Sequence, residues 1–332
     1  MLGFGNVNRT LVRLLAERDS KLRARGIGWR ITGVASRRLG WVAHPGGLDL
    51  ALLSGNAAPV PASFPGSLRR TTNVSEWLRA AEADVLFEAT SLNVHDGRPA
   101  VDHMRAALNH GAHAITANKG PIVCAYQELR ELAAAKGKHF LFESTVMDGV
   151  PIFSLFRENL PAIRLHGFRG ILNSTTNLIL SGMERGLTFD AALKTAQQMG
   201  VAETDASHDV EGWDAAVKVA ALVTVLMDEP IPLSQIHREG IGALTGEQVR
   251  AARAAGTPYK LVCRAQRTGK GVEARVTPER LPMSDPLASV AGTSSIVYFE
   301  TDIFPGLCIT EENPGLYATA YGLLADFIRA VG

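Results

Sequence analysis

Residues 83–119 read "ADVLFEATSLNVHDGRPAVDHMRAALNHGAHAITANK". Two short apolar runs, "ADVLFEAT" and "AHAITA", flank a longer one, "GRPAVDHMRAALNHG", whose apolar residues recur at three- and four-residue spacing. The short runs predict strands and the long one a helix. A helix between two strands is a crossover, which leaves the strands parallel and both faces of the sheet to be covered. The pattern continues outward. Upstream, "WRITGVAS" (29–36) predicts a strand and "SEWLRAAEA" (75–83) a helix. Downstream, "AYQELRELAAAKG" (125–137) predicts a helix and "HFLFEST" (139–145) a strand. Strands alternating with helices at this spacing predict an α/β, doubly wound nucleotide domain of the Rossmann type over residues 1–140.

The chain opens "MLGFGNVNRTLVRLLAERDS" (1–20), a glycine turn running straight into an amphipathic helix. Gly3 and Gly5 allow a tight turn and close backbone approach, and Asn6 and Val7 begin a helix whose N-terminus suits a pyrophosphate. The third position of this dinucleotide pattern holds Asn8 in place of glycine or alanine, so a local shift is expected there. The strand before the turn is nearly absent, and a start several residues upstream or a shortened chain is expected. An NAD site places an acid at the end of the second strand. Here stand Ser36, Arg37 and Arg38, a hydroxyl and two guanidinium groups suited to a 2′-phosphate. That favours NADP, with NAD kept open, over the alternative that two arginines simply begin a solvated loop. Thr90 and Ser91 in "EATS", near where a nicotinamide would lie, and Lys119 in "TANKGPIV" fall at the carboxyl ends of predicted strands, where such sheets bind ligands. A lone loop lysine is equally read as solvated.

The net charge is +1 and no long basic run occurs, which excludes a nucleic-acid surface. The apolar stretch 215–227 is too short to span a membrane and is interrupted by Lys218. With 46% hydrophobic and 20% charged residues among 332, two soluble domains doing small-molecule chemistry are expected. Cys124, Cys263 and Cys308 are far apart and form neither a disulfide frame nor a zinc site. With no secretory pattern at the start, a reducing cytoplasm is expected. His110 and His113 have no third ligand at metal-binding spacing and read as surface or structural.

After about residue 148 the alternation stops. "RLHGFRGIL" (164–172), "YKLVCRAQR" (259–267), "GVEARVTPERL" (271–281) and "SSIVYFETD" (294–302) predict a second, mixed sheet. Helices over 151–160, 189–200 and 213–227 would pack against it, giving an α+β domain over 141–314. Residues 315–332 predict a helix returning to the first domain. Within "VAETDASHDVEGWDAAVKVAALVTVLM" (201–227), Asp214 and Lys218 share one helix face in the order that favours a pair. A surface salt bridge is the ordinary reading, but 215–217 and 219–223 are Ala, Val or Leu throughout, so no polar face exists for it. Charges in such a helix are paired or line a site. Glu203, Asp205, Asp209 and Glu211 just before it point to a cationic substrate and a proton to be moved. In "GILNSTTNLIL" (170–180), the polar run that includes Asn173, Thr175 and Thr176 either caps a helix or holds a polar substrate.

These pieces together resemble homoserine dehydrogenase in its short, monofunctional form, over nearly the whole chain. The resemblance is carried by "TANK" (116–119) and by "GILNSTTNLIL" against G-I-x-N-G-T-x-N-Y-I-L. It is carried also by "VAETDASHDVEGWDAAVK" (201–218) against x-A-E-x-D-P-x-x-D-V-x-G-x-D-A-A-x-K, and by "DPLASVAGTSSIV" (285–297). It implies NADP-dependent interconversion of L-homoserine and L-aspartate 4-semialdehyde, in threonine, methionine and isoleucine biosynthesis. It also implies a homodimer joined through the second sheet. Lys218 matches the family's active-site lysine and Lys119 the second lysine that faces the reacting oxygen. Glu203 and Asp214 match acids that hold the amino group and hydroxyl end of the substrate, with Gly200 beside them. Glu143 matches a side-chain ligand of a monovalent cation, Na+ or K+, whose other ligands are the carbonyls of Val146, Asp148 and Val150. Gly315 matches a glycine near the nicotinamide. The chain departs from the family pattern at Val146–Gly149, where V-G-x-G is usual, at Ser174 and Leu178, and in "EENPGLYATA" (311–320), where only Gly315 remains of a glycine-alanine run. Two other readings share the plan: a related dehydrogenase with another amino-acid-like substrate, and an NADP-binding paralogue without turnover.

Overall fold

The computed structural model describes residues 1–55 and 69–332. The chain divides into two compact units, residues 1–154 with 315–332, and residues 155–314.

In the first unit, α1 (Asn6–Glu17) starts directly from Gly5 and buries Leu11, Val12, Leu14 and Leu15. It is followed by α2 (Asp19–Ala24), β1 (Gly33–Ser36), β2 (Gly40–Ala43), α3 (Leu50–Ser54), β3 (Arg69–Thr71) and α4 (Val74–Ala81). Then come β4 (Val85–Glu88), α5 (Ala100–His110), β5 (His113–Thr116), α6 (Gly120–Ala135) and β6 (Phe140–Leu141). Strands β4, β5 and β6 are parallel, as the crossovers through α5 and α6 require. Leu2 makes parallel bridges to Ala35 of β1 and Glu88 of β4, so the strand before the glycine turn amounts to one residue that still joins the sheet. The other half departs from the expected parallel order. Here β1, β2 and β3 are antiparallel neighbours, and neither β2 nor β3 is among the predicted strands. Only residues 37–39 connect β1 to β2, too few for a crossover, and the Leu39 amide donates to Ser36 Oγ at 3.1 Å to close the turn.

The predicted strand 139–145 is also shorter: after β6 the chain makes a 3₁₀ turn over Glu143–Thr145. The Glu143 amide there donates to Asp326 Oδ2 at 2.7 Å, on the C-terminal helix Leu316–Val331, instead of to a neighbouring strand. Ala320, Leu323, Leu324 and Phe327 of that helix share one core with Leu11, Leu15, Val34, Phe87 and Ile115.

The second unit holds a six-stranded mixed sheet in the order β12-β11-β7-β9-β10-β8. Its strands are β7 (Leu165–Ile171), β8 (His237–Arg238), β9 (Tyr259–Thr268), β10 (Gly271–Arg280), β11 (Ser295–Thr301) and β12 (Leu307–Glu311). Only the β8–β10 pair is parallel. All four predicted strands are present, and β8 and β12 add the edges. The helices are α7 (Ser174–Glu184), α8 (Phe189–Gln198), α9 (Ser207–Val210), α10 (Trp213–Leu226) and α11 (Gly246–Ala254). Helix α10 lies on β9 and β10, and α7 on β9. The helix predicted over 151–160 is a short piece ending in a wide π turn at Leu155–Asn159, bracketed by Pro151 and Pro161.

Candidate active site

The second unit gathers its polar groups where β7 runs into α7. Asn173 is the N-cap of α7, and its Oδ1 accepts from the Thr176 amide and the Thr176 hydroxyl, both at 2.9 Å. Its other half, Nδ2, donates to Asp209 Oδ1 at 2.7 Å and Asp214 Oδ2 at 3.0 Å. Asp214 stands in the first turn of α10, where the helix dipole favours an anion. Lys218 Nζ lies 2.9 Å from Asp214 Oδ2 and donates to the Leu172 carbonyl at 2.6 Å. Around them α10 buries Ala215, Ala216, Val217 and Val219, yet the Lys218 and Asp214 side chains keep 17% and 21% of their surface, so the pair is not sealed in the core. Burial, and then the Asp214 charge, push the Asp209 carboxyl above its ordinary value. Two carboxylates against one ammonium leave room in the charge balance for a second cation, such as a substrate amine.

Of the other residues singled out here, Thr175 is buried and its hydroxyl donates to the Val201 carbonyl at 3.3 Å. Gly200 (φ +71) ends the turn after α8, its amide donating to the Gln197 carbonyl at 3.0 Å. Glu203 follows in the same segment, exposed, its backbone carbonyl accepting from Gln197 Nε2 at 3.2 Å. The structure thus brings Asn173, Asp214 and Lys218 together, with Thr176 beside them, and leaves the Glu203 carboxylate outside this hydrogen-bonded cluster. Asp209 is the member that spacing alone did not single out.

In the first unit a cavity of about 600 Å³ is lined by Gly3, Gly5, Ser36, Arg37, Thr90 and Ser91, together with Trp41, Pro99 and His103. Gly3 is demanded by the chain itself: its φ is +75 and a Cβ would lie 2.4 Å from the Ala89 carbonyl oxygen. Gly5 is not, because a Cβ there would meet only the Gly3 carbonyl oxygen, at 4.0 Å. Open space at Gly5, and an N-terminus of α1 (Asn6, Val7 in its first turn) without a side-chain cap, fit the close approach of a dinucleotide pyrophosphate. Ser36 Oγ is committed to the Leu39 amide, Arg37 reaches the cavity, and Arg38 is exposed and does not line it. Trp41 and His103 meet edge to face, with ring centroids 6.1 Å apart, and burial pushes His103 down to about 4, so it is neutral near pH 7. Neither was foreseen, because Trp41 lies on the unpredicted β2. Lys119 is the N-cap of α6, and Gly315 the extended N-cap of the C-terminal helix. A second cavity, about 490 Å³, lies beside Met1, Gly33 and Asp84 at the amino ends of β1 and β4, away from the strand ends that bind ligands.

Glu143 is buried, and its carboxylate accepts the amides of Phe153 (2.7 Å) and Ser154 (2.9 Å), with Arg329 Nη1 4.0 Å away. Each oxygen accepts one amide, and an ionised carboxylate has about four acceptor sites, so these bonds leave its capacity as a ligand open. In the loop that follows, Met147 (φ +52) and Asp148 (φ +56) take left-handed backbone, Asp148 Oδ1 accepts the Thr319 hydroxyl, and the Val150 carbonyl accepts the Ile152 amide. No group of three or more His, Cys, Asp or Glu among the described residues is arranged to hold a metal ion.

Residues 151–328 match the family Homoserine dehydrogenase, and residues 3–143 match the NAD binding domain of homoserine dehydrogenase. The chain belongs to the homoserine dehydrogenase family. It is 36% identical over 337 residues to the NAD(+)-dependent homoserine dehydrogenase of Pseudomonas canavaninivorans, covering 99% of this chain and 94% of that protein. It is 31% identical over 332 residues to the homoserine dehydrogenase of Methanocaldococcus jannaschii, covering 99% and 97%. A homoserine dehydrogenase structure from Thiobacillus denitrificans superposes with a TM-score of 0.82 at 32% identity, covering 99% of this chain and 72% of that one. A hyperthermophilic archaeal homoserine dehydrogenase in complex with NADPH gives 0.83 at 27% identity, covering 99% and 95%. The chain is therefore an NAD(P)-dependent oxidoreductase acting on a CH–OH group, with a Rossmann-type nucleotide domain. In a homoserine dehydrogenase of this plan, the cavity at Gly3 and Gly5 lies within the NAD-binding match, and Asn173, Asp209, Asp214 and Lys218 within the other.

Proposed function

We propose that the Asn173, Asp209, Asp214 and Lys218 cluster is where this chain interconverts L-homoserine and L-aspartate 4-semialdehyde, with NADP preferred over NAD. The observation that carries the reading is Lys218. An ammonium in an apolar helix is held by Asp214 and the Leu172 carbonyl, yet is still partly open. A nicotinamide held by the cavity that Gly3, Gly5 and Arg37 line would supply or take the hydride at the terminal carbon of the substrate. In the reductive direction the Lys218 ammonium gives a proton to the aldehyde oxygen and is left as the neutral amine; in the oxidative direction that neutral amine takes the hydroxyl proton. Asp214 orients Lys218 and accepts the substrate hydroxyl, while Asn173 fixes the orientation of Asp214 and Asp209. Lys119 is assigned the positive charge that offsets the developing oxyanion. Glu203 is assigned the substrate ammonium. Gly200, Thr175 and Thr176 shape the wall around it.

Arg37 in the cavity wall supports NADP, as the donor for a 2′-phosphate. Arg38 and Ser36 have smaller parts, one exposed and the other committed to its own turn. Asn6 and Val7 would face the pyrophosphate, Thr90 and Ser91 the nicotinamide end, and Gly315 the same end. A monovalent cation, Na+ or K+, would be held by Glu143 with the carbonyls of Val146, Asp148 and Val150, and no step is routed through it. The homodimer rests on the family resemblance and is checked by sedimentation. A cytoplasmic setting is supported by three free cysteines, and no helix among the described residues is long and apolar enough to cross a membrane. The test is oxidation of L-homoserine with NADP and NAD side by side. Turnover favouring NADP is expected. Turnover with NAD alone, as the name of the Pseudomonas canavaninivorans relative describes for that protein, would overturn the cofactor preference, and none with either would overturn the substrate.

A further inference from the structure

Glu88 ends β4 with no exposed surface, and burial pushes its carboxyl above the ordinary range against several hydrogen bonds that pull it down. A carboxylate so placed is costly unless its partners use it. Oε1 accepts the Thr90 amide at 2.8 Å and also the Thr90 hydroxyl. Oε2 accepts the Thr116 hydroxyl, at the end of β5, at 2.6 Å. Thr116 Oγ1 in turn accepts the Asn118 amide at 2.9 Å. Asn118 returns to the first strand end, its Nδ2 donating to the carbonyls of Thr90 (3.2 Å) and Ser91 (3.3 Å), while its Oδ1 accepts the Gly120 amide at 2.9 Å. The circuit Glu88, Thr116, Asn118, Thr90 closes on itself, and a backbone bond from the Ala117 amide to the Glu88 carbonyl at 2.9 Å braces it.

This circuit joins two strand ends that carry different duties. One presents Thr90 and Ser91 to the cofactor cavity, and the other presents Lys119 at the N-cap of α6. We propose that Glu88 is a positioning residue for the dehydrogenase reaction, fixing the cofactor-facing end of β4 relative to Lys119 through Thr116 and Asn118 without itself touching a reactant. The proposal rests on the cofactor cavity and the Lys119 role argued above. A valine or leucine at the end of β4 would fill the same space, but could not hold the Thr90 amide and the Thr116 hydroxyl in one fixed relation.

Thr116→Val removes the hydroxyl that joins Glu88 to Asn118 with little change in volume, Thr116→Ser restores it, and Glu88→Gln replaces one acceptor with a donor. Misplacing a catalytic group by about 1 Å costs on the order of 100-fold. Thr116→Val and Glu88→Gln are therefore expected to lower kcat about 100-fold and weaken NADP binding about tenfold by calorimetry. The KM for L-homoserine stays within about threefold, and circular dichroism remains that of the wild type. Thr116→Ser is expected within about threefold of wild type in every respect. Wild-type kcat and NADP affinity in Thr116→Val would overturn the proposal, as would equal impairment of Thr116→Val and Thr116→Ser. If the wild type itself fails to oxidise L-homoserine, the substrate reading falls alone, and NADP affinities across the same variants still decide this one. If Glu88→Gln does not fold, the Thr116 pair carries the test.

Discussion

Lys218→Met keeps the length of an unbranched side chain and removes only the ammonium, and the structure sets two separate costs for it. For chemistry, losing a positioned proton donor slows turnover about 10²–10⁴-fold, roughly 2.7–5.5 kcal/mol on the barrier. For stability, Lys218 gives up Asp214 at 2.9 Å and the Leu172 carbonyl at 2.6 Å. Breaking a sealed ion pair costs about 3–5 kcal/mol and an exposed one about 0–1. At 17% and 21% exposure this pair stands between. Asp214 keeps the Asn173 amide at 3.0 Å, so about 1–2 kcal/mol is expected, a fall of about 2–8 °C in melting midpoint. The assay is initial rates with L-homoserine at saturating NADP, alongside a circular-dichroism melt. Folded Lys218→Met with turnover within about threefold of wild type would refute the assignment. The double variant Lys218→Met with Asp214→Asn separates the two costs, since it also removes the Asp214 charge that the ammonium balanced. It should regain most of the midpoint and none of the turnover. If turnover returned, the lysine would be no more than a counter-ion to Asp214.

The two glycines of the first turn should part company. Gly3→Ala forces a Cβ to 2.4 Å from the Ala89 carbonyl oxygen at φ +75, so a loss of at least about 1–3 kcal/mol is expected in a thermal melt. Gly5→Ala should melt as the wild type does but bind NADP at least about tenfold more weakly; wild-type affinity would sink the pyrophosphate reading of the turn. Arg37→Ala should weaken NADP by about 10–100-fold in calorimetry and leave NAD unchanged, and a parallel loss of both would remove the 2′-phosphate role. Asp209 has its folded pKa raised above 3.8, so the folded state holds its proton longer than the unfolded chain does. The resulting penalty grows as pH rises from that value to the folded one and persists above it. Asp209→Asn should therefore melt higher than wild type at pH 7, the gain disappearing below about pH 4, while the KM for homoserine rises. A lower midpoint at pH 7 would mean that the carboxylate holds the loop more than burial strains it.

What could be read from the chain beforehand was what lies close together along it. The crossovers through α5 and α6 are written in consecutive residues, and β4, β5 and β6 are parallel accordingly. The Asp214 and Lys218 pair is likewise local, four residues apart in a helix with no polar face. Its remaining partners are not local. The Leu172 carbonyl and Asn173 lie 46 and 41 residues away, and only the placing of Asn173, at the N-cap of α7, shows that Asp209 is drawn into the same cluster. The same limit hid β2, whose "GWVA" has too little pattern to announce a strand, and with it Trp41. Glu143 shows the limit of resemblance: a matched position gives a residue type, but that its carboxylate accepts the amides of Phe153 and Ser154 is decided ten residues further along. Lys260 is a sharper case. It is the second residue of β9, between Tyr259 and Leu261, and is almost wholly buried, its ammonium satisfied by the Val290 carbonyl at 2.6 Å and Asn177 Oδ1 at 3.1 Å.

Asn8, which interrupts the dinucleotide pattern, is tied to the segment just before the glycine turn. A glycine at position 8 would let helix and strand pack closely. Here Leu2 bridges Ala35 and Glu88, its amide donating to the Phe87 carbonyl at 2.7 Å and its carbonyl accepting the Ala89 amide at 2.9 Å. Asn8 is fully buried and turns its amide back onto this segment, Nδ2 donating to the carbonyls of Leu2 at 3.0 Å and Gly3 at 3.1 Å. Those two bonds hold the turn from the helix side, and backbone bonds to Ala35, Phe87 and Ala89 hold it from the sheet side. The side chain that interrupts the dinucleotide pattern is thus what keeps the Gly3 turn in the shape the pattern requires.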